Sequence, residues 1–274
     1  MEQIISLEES KKIQTEILAY LDKICRLHDI KYSLAYGSLL GAVRHKAYIP
    51  WDDDIDIMLY RTHYDKLMKV LAEDSNYNLI KIDSSKYYLA YAKLCDKRTF
   101  LSEDGYPLIE GLGLFVDIFP MDNIPDRPFI RFFYVKKMYL LDRLRYTSVL
   151  RQYYLSTNLF KSLVKFVLYT PLAICSKIMG TKKVLLITDR AMQKYNNIKT
   201  TNCGHLPNKF GYKEVFPIEW FNNFTELEFE GKMLFVIAEY DKYLKLLYGN
   251  YMQLPPEDKR VSNHVFTAYW RNNS

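Results

Sequence analysis

The chain has 274 residues, 49% of them hydrophobic and 15% aromatic, and carries a formal net charge of +6 at pH 7. This length allows one large domain, or a core with a substantial elaboration, and the apolar content is enough for a sizeable hydrophobic core. Its 4 cysteines are widely separated without a CxxC pair, which argues against a zinc site or a disulfide framework and favours a reducing cytoplasm.

The N-terminus predicts an amphipathic helix and no export signal. Its first residues, MEQIISLEESKK, lack the basic and apolar regions of a signal peptide, so we expect a cytoplasmic protein. Ser6 and Glu9 have the spacing of a capping box, and apolar residues from Ile13 to Cys25 then recur at helical spacing. Cys25 is most simply a small buried hydrophobe.

A glycine-serine pair follows the first predicted strand. The strand covers 32–36, and Gly37 and Ser38 are expected to turn it into a short helix over 39–44. Backbone N–H groups at the N-terminus of such a helix can bind a phosphate. Such a helix start is a weak signal for phosphate binding by itself, and the acidic strand that follows strengthens it.

Four aspartates lie within five positions: Asp52, Asp53, Asp54 and Asp56. Without a cation they would repel one another and raise their own pKa values, whereas a hard divalent ion would remove that repulsion. Apolar residues alternate through 54–59 with the period of a half-buried strand, so Asp54 and Asp56 share one face, Asp52 can join them, and Asp53 points away. A solvated acidic turn would not explain carboxylates that continue into such a strand. The pattern predicts a metal-dependent phosphoryl-transfer site.

Two cations follow in the next predicted elements. A helix is predicted over 62–72 and strands over 77–82 and 87–95, with Lys93 inside the last strand and Arg98 beyond it. Both side chains either reach a substrate phosphate or are ordinary surface cations, and the sequence leaves these alternatives open.

A fifth aspartate interrupts an apolar run. Asp117 lies within 114–119, where a lone buried charge would be costly. Coordination of the same metal as Asp54 and Asp56 would offset that cost.

From about residue 126 the composition becomes basic and aromatic. Between 127 and 183 there are twelve basic residues against a single acid, Asp142, which points to an anionic partner for this part. We therefore divide the chain into a catalytic core (1–125), a basic aromatic helical segment (126–200) and a C-terminal part that completes the catalytic domain (201–274).

One stretch of the basic segment, LFKSLVKFVLYTPLAICSKIMG, approaches the composition of a transmembrane helix. Lys165 and Lys177 leave only eleven uncharged residues between them, and Thr170-Pro171 is expected to break the helix, whereas a span needs about twenty residues. We expect a helix that lies on the anionic inner membrane surface or one that packs on the catalytic core, and both alternatives remain open.

The C-terminal part returns to a mixed pattern. It predicts a strand pair over 226–237 and a helix over 238–248 that ends at Gly249. The tail that follows carries Arg260 and His264, two candidate phosphate ligands.

Three segments of this sequence resemble the LicD family, whose best known members are bacterial phosphocholine transferases. They are GSLLGAVRHKAYIPWDDDIDI, GLFVDIFP and YGNYMQLPPEDKRVSNH, so the resemblance spans most of the chain apart from about 126–200. One departure is Ala47, where the family usually has glycine, and it removes no functional group. The related fukutin-related ribitol-phosphate transferases carry a cysteine zinc site that these cysteine spacings do not reproduce.

The resemblance implies an α+β, nucleotidyltransferase-like fold, similar to the DNA polymerase beta superfamily. It would be a mixed sheet flanked by helices, here with an added helical basic segment. In that fold a Gly-Ser turn and an Asp-x-Asp strand share a site with a third carboxylate. On this sequence the matching residues are Gly37 and Ser38, Asp54 and Asp56, and Asp117.

The resemblance also implies a reaction. We expect phosphocholine to pass from CDP-choline to a sugar hydroxyl of a lipid-linked precursor of teichoic acid, capsule or lipopolysaccharide, with release of CMP and with no nucleic-acid partner. Asp54, Asp56 and Asp117 would hold Mg²⁺ or Mn²⁺, and Asp52 would accept the hydroxyl proton. The expected substrate-binding residues are Gly37, Ser38, Arg44, Lys93, Arg260 and His264.

Three alternatives stay open at this point. The donor could carry ribitol or glycerol in place of choline. The enzyme could instead be a nucleotidyltransferase that makes CDP-alcohols and releases pyrophosphate. The third alternative is a non-catalytic assembly subunit at the membrane surface, against which the intact carboxylates argue.

Overall fold

The computed structural model describes residues 3–103, 107–150, 158–208, 210–261 and 266–271. The α-helices of these residues are α1 (Leu7–Leu27), α2 (Tyr36–His45), α3 (Arg61–Ala72), α4 (Pro128–Val149), α5 (Leu159–Met179), α6 (Thr181–Met192) and α7 (Tyr240–Tyr248). The strands are β1 (Ser33–Leu34), β2 (Asp56–Tyr60), β3 (Asn78–Ile80), β4 (Ala92–Cys95), β5 (Thr99–Glu103), β6 (Phe115–Ile124), β7 (Asn202–Gly204), β8 (Phe216–Pro217), β9 (Phe224–Phe229), β10 (Lys232–Ile237) and β11 (Phe266–Trp270).

A seven-stranded mixed sheet forms the centre of the structure. Its main path runs β1-β2-β6-β4-β3, with β7 paired to β6 and β8 paired to β7. β2 and β6 are parallel, whereas the other pairs of this sheet are antiparallel. The α+β class with a mixed sheet flanked by helices is confirmed, and the nucleotidyltransferase-like name for it stays a prediction.

The two parallel strands lie deepest in the protein. All ten residues of β6 are buried, as are four of the five in β2. Strands covered on both faces are normally almost continuously apolar. Carboxylates inside these two strands are therefore exceptional. Asp122 pairs with the buried Arg61, whereas Asp56 and Asp117 mark the site described below.

The opening helix has the predicted start and the predicted buried face. The Ser6 hydroxyl accepts a hydrogen bond from the Glu9 backbone N–H, which satisfies one of the orphan donors of the first turn of α1. Ile17 and Leu21 are fully buried. Cys25 is also buried, and burial raises the pKa of its thiol to about 12, as expected for an inert core cysteine.

Several predicted elements shift at their ends. The first strand shrinks to Ser33–Leu34, and α2 begins at Tyr36, so Gly37 and Ser38 form its first turn and not a turn before it. The acidic strand begins only at Asp56. The predicted strand over 87–95 is strand only at Ala92–Cys95.

The C-terminal elements follow the prediction closely. β9 and β10 form the expected antiparallel pair, and α7 ends at Gly249, which has a φ of 70°. The antiparallel pair of β5 and β11 was not predicted. It joins strands more than 160 residues apart in sequence, a pairing for which neither segment carries a local signal.

The basic segment contradicts one expectation. Pro171 lies inside α5, which continues as one helix of 21 residues, so the predicted break at Thr170-Pro171 is wrong. Proline removes one backbone donor, but the remaining hydrogen bonds of the helix carry it across this position. Only 11% of the most apolar part of α5 is buried, and the helix packs against α4 and α6. The two alternatives for this helix, the membrane surface and the catalytic core, stay predictions. Within the described residues, α5 is the helix long and apolar enough to cross a membrane.

The buried apolar residues form two clusters. The larger one combines residues from α1 to Met121 with residues from Cys203 to Ala268. The smaller one joins Ile124 to the inner faces of α4 and α6. The predicted boundaries near 125 and 200 stay a prediction.

Candidate active site

Three carboxylates converge where β2 and β6 run side by side. The register of this parallel pair places Asp56 opposite Asp117. One carboxylate oxygen from each of Asp54, Asp56 and Asp117 lies within 4.8 Å of the others. Asp56 and Asp117 are 8% and 4% exposed. The structure thus brings together the three residues that the sequence singled out as metal ligands.

The electrostatics of this group favour a cation. Burial, followed by repulsion from Asp54, Asp117 and Asp52, raises the pKa of Asp56 well above its ordinary value. A buried group of like charges is stabilised either by protons or by a metal ion, and oxygen-only ligands of this kind suit Mg²⁺ or Mn²⁺. The donor set therefore fits the divalent cation predicted from the sequence.

Lys93 neutralises part of this charge. It is only 6% exposed, its ammonium nitrogen lies 2.5 Å from Asp117 Oδ1, and β4 places it opposite Asp117 across the sheet. The alternative that Lys93 is a surface cation is wrong. A direct contact between Lys93 and a substrate phosphate stays a prediction.

Arg98 serves a different place in the fold. Its side chain is 57% exposed and pairs with Asp96 and Glu16. These contacts hold the start of β5 against α1. They give no support to a role for Arg98 in phosphate binding.

The first turn of α2 positions two of the aspartates. Ser38 Oγ accepts a hydrogen bond of 2.9 Å from the Asp56 backbone N–H. A Cβ on Gly37 would lie 2.4 Å from Asp52 Oδ2, so only glycine lets that carboxylate approach the helix. Gly37 and Ser38 therefore hold the acidic loop in place, and their predicted contact with a substrate phosphate stays a prediction.

Gly37→Ala tests this close approach. We expect transfer activity to fall about a hundredfold, because a displacement near 1 Å has that effect on a reacting group. The free energy of unfolding should change by no more than about 1 kcal/mol, since alanine favours helix and the Asp52 side chain can move away. Activity assays and thermal unfolding measure the two quantities.

A double variant identifies the cause. If Gly37→Ala acts through Asp52, adding it to Asp52→Asn should cost little further activity. Fully additive losses would show that Gly37 acts elsewhere.

Asp53 belongs to a second acidic group. Carboxylate oxygens of Asp52, Asp53 and Asp54 also lie within 4.8 Å of one another, so Asp54 is common to both groups. The prediction that Asp53 points away from Asp54 and Asp56 assumes an extended strand, whereas β2 begins only at Asp56. Asp53 remains outside the group formed with Asp117, as predicted. It nevertheless lies closer to that group than the alternation of side chains along a strand predicts.

Two arginines from distant parts of the chain meet beside the acidic loop. Burial and the charge of Arg260 lower the pKa of Arg44, whose Nη1 donates to the Tyr251 carbonyl. The Arg260 guanidinium lies 5.8 Å from the ring centre of Trp51, next to Asp52 in sequence. Neighbouring guanidinium groups attract a multivalent anion. The remaining predicted cation, His264, lies outside the described residues.

A buried polar cluster lies behind Asp56, and the sequence analysis missed it. Glu214 is completely buried, and burial raises its pKa to about 8 although Tyr36 and the His205 backbone lower it. Neither carboxylate oxygen makes a hydrogen bond of normal geometry, nor do the hydroxyls of Tyr36 and Tyr243. Asp56 contributes to the raised pKa values of both tyrosines. The segment GYKEVF reads as an ordinary polar loop, so no sequence signal marks Glu214.

A tyrosine-lined cavity of about 460 Å³ opens beside Asp117 and Lys93. One of its walls comes from the C-terminal end of α4, where Arg145 lies 2.5 Å from the buried Asp142. Its aromatic lining consists of Tyr87, Tyr88, Tyr91, Phe115, Tyr146 and Phe266. Several of the many tyrosines of this chain thus lie beside the candidate active site.

Comparison with known proteins agrees with this arrangement. Residues 29–146, which hold the acidic loop, Asp56 and Asp117, match the family described as LicD/FKTN/FKRP, nucleotidyltransferase domain. This segment is a LicD-family domain. Across 97% of the chain and 98% of the relative, the sequence is 29% identical to the lipopolysaccharide cholinephosphotransferase LicD of Haemophilus influenzae.

Two further relatives share shorter segments with this chain. The uncharacterized protein RP689 of Rickettsia prowazekii is 31% identical over 44% of the chain and 42% of its own length. The uncharacterized protein RT0683 of Rickettsia typhi is 31% identical over 29% of each. Neither of these two relatives has a described activity, so they give no support to a particular reaction.

Proposed function

We propose that this protein transfers phosphocholine from CDP-choline to a sugar hydroxyl of a cell-surface glycan precursor and releases CMP. The observation that carries the proposal is the group of Asp54, Asp56 and Asp117 inside a LicD-family domain. The end-to-end similarity to a lipopolysaccharide cholinephosphotransferase supports choline over other alcohols.

Asp54, Asp56 and Asp117 would hold Mg²⁺ or Mn²⁺ together with the donor diphosphate. When bound, such an ion neutralises charge on phosphate oxygens and orients them. Lys93 keeps Asp117 in place through its 2.5 Å contact, and Ser38 does the same for the backbone of Asp56. These contacts fix the carboxylates before the donor arrives.

Other residues act on the substrates directly. Asp52 lies against Gly37 in the first turn of α2, and it is our candidate to accept the proton of the attacking hydroxyl. Arg44 and Arg260, beside the acidic loop, would bind the donor diphosphate. The tyrosine-lined cavity offers the aromatic faces that a trimethylammonium group prefers.

The acceptor is a hydroxyl on a lipid-linked glycan at the inner face of the membrane, and the protein itself is cytoplasmic. A precursor of lipopolysaccharide is the acceptor that the full-length relative supports. Teichoic acid and capsule precursors are the other two acceptor classes of this kind.

A product assay tests the proposal. We expect CDP-choline, Mg²⁺ and a glycan-lipid extract together to yield CMP, and EDTA to abolish the reaction until excess Mg²⁺ is restored. CDP-ribitol and CDP-glycerol, assayed in parallel, should release CMP at least about tenfold more slowly, because they lack the cation that aromatic faces bind. Pyrophosphate release from CTP would establish the nucleotidyltransferase alternative instead.

A further inference from the structure

Helix α5 is apolar on the side that faces away from the protein. Its exposed residues include Leu159, Phe160, Leu163, Val167, Ile174 and Ile178, and Leu159 is 90% exposed. A surface helix of a water-soluble protein normally buries its apolar stripe against the core. In α5 the apolar stripe instead faces away from the rest of the protein.

The side of α5 that contacts the protein is small and polar. Its buried residues are Ala173 and Ser176, and Ser176 Oγ lies 3.2 Å from Thr147 Oγ of α4. Tyr169 of α5 also lies close enough to α4 to raise the pKa of Tyr139. Small and hydroxyl-bearing residues between two helices with apolar outer faces are typical of helix pairs packed within lipid.

The outer surface of α4 continues the apolar area. Phe129, Phe132 and Phe133 of its N-terminal half are exposed, and Phe129 is 75% exposed. Exposed lysines stand among these apolar residues: Lys136 Nζ lies 5.6 Å from the ring centre of Phe132, and Lys177 adjoins Ile178 on α5. An apolar surface that also carries lysines matches a bilayer with anionic headgroups, because long lysine side chains reach back to the phosphates.

We infer that α5 and the N-terminal half of α4 embed in one leaflet of an anionic lipid bilayer. The same lysines would oppose a second copy of this chain, because the contact would bring like charges together. The occupant we assign is therefore lipid. This goes beyond the surface contact expected from the sequence, because the apolar face itself enters the hydrocarbon.

The fold limits the insertion to one leaflet. A single crossing would place the helices before and after α5 on opposite sides of the membrane. α4 and α6 instead pack together, and the Tyr134 hydroxyl of α4 donates to the carbonyls of Ala191 and Met192 at the end of α6. α5 consequently lies along the surface and does not span the bilayer.

This placement also aligns the site with the membrane. α4 carries exposed phenylalanines at its N-terminal end and contributes Arg145 and Tyr146 to the cavity beside Asp117 at its C-terminal end. A lipid-linked acceptor held in the same leaflet would therefore reach the carboxylates along one helix. The insertion itself does not depend on the proposed reaction.

Vesicle flotation of the full chain tests the inference without any substrate. We expect the protein to float with phosphatidylcholine vesicles that contain phosphatidylglycerol, and to stay bound in about 1 M NaCl, where surface charges are screened within a few ångströms. Leu163→Asp combined with Val167→Asp should weaken the partition at least about tenfold, because both charges would enter the hydrocarbon.

A matched control separates insertion from general surface effects. Leu27→Asp combined with Val261→Asp changes two residues of similar exposure outside α4 and α5 and should float like the unmodified protein. Complete release by salt would overturn the insertion in favour of electrostatic adsorption. So would a protein that never floats and forms a dimer that the α5 variant dissociates, because a second copy would then cover this surface.

Discussion

Asp56→Asn is expected to lower phosphocholine transfer by at least about a thousandfold, because a ligand that helps to stabilise transition-state charge contributes several kcal/mol and each 1.4 kcal/mol is a factor of ten. Asp56 lies at the centre of the site, since it belongs to β2, lies opposite Asp117 in the parallel register, and donates its backbone N–H to Ser38 Oγ. The variant keeps the shape of the side chain and removes one negative charge.

Stability measurements exclude a folding defect as the cause. Because burial and then the neighbouring carboxylates raise the pKa of Asp56, its neutral replacement should leave metal-free thermal unfolding unchanged or make the protein more stable. Stabilisation of the unmodified protein by Mg²⁺ should be lost in the variant, as expected when binding to the folded state is removed.

Asp53→Asn is the matched control, since its carboxylate lies outside the group with Asp117. We expect it to retain at least about a tenth of the activity, the effect of a neighbour that touches no reacting atom. Equal losses in Asp53→Asn and Asp56→Asn would show that both acidic groups take part. Normal transfer and normal metal binding by Asp56→Asn would refute the catalytic assignment.

Much of this site could be predicted because local chemistry marks it. Aspartates that interrupt buried apolar strands are costly unless they share a cation, and that cost alone linked Asp117 to the acidic strand. The structure places them side by side through the parallel register of β2 and β6. The sequence alone does not show which side chains lie opposite one another on neighbouring strands of the sheet. Lys93 therefore remained ambiguous until β4 placed it on Asp117.

The alternation of residues gave a wrong prediction where the backbone does not have the strand geometry that alternation assumes. The alternation that separated Asp53 from its neighbours requires an extended strand, whereas residues before Asp56 form a loop. In α5, composition correctly indicates an apolar helix, but Thr170-Pro171 wrongly predicts a break in it. The direction of its apolar face follows from tertiary packing, which no periodicity in the helix itself reveals.

Glu214 illustrates the limit most clearly, because a glutamate in a polar loop is almost always exposed. Here the 3₁₀ turn at Gly211–Glu214 carries it under Tyr36 and Tyr243, close to Asp56. A protein retains a buried carboxyl without normal hydrogen bonds only at a cost in stability. That cost can be measured, because it depends on pH.

Glu214→Gln is expected to stabilise the protein at alkaline pH by roughly 5 kcal/mol relative to its effect below pH 4. Burial raises the folded-state pKa of Glu214 from 4.5 to about 8. Between these two values the unfolded chain has lost the proton and the folded protein keeps it, so the folded state of the unmodified protein loses stability as pH rises from 4.5 to 8. Glutamine carries no titrating proton, so this fall is absent from the variant.

Denaturant unfolding between pH 4 and pH 9 measures the difference between the two proteins, in which the contributions of all other titrating groups cancel. Glu219→Gln in the following 3₁₀ turn is the matched control, because Glu219 is exposed and its replacement should leave the pH profile unchanged. Parallel profiles for the unmodified protein and Glu214→Gln would mean that the buried carboxyl is fully solvated or paired. A profile that diverges as predicted would show that the protein accepts an uncompensated carboxyl directly behind Asp56.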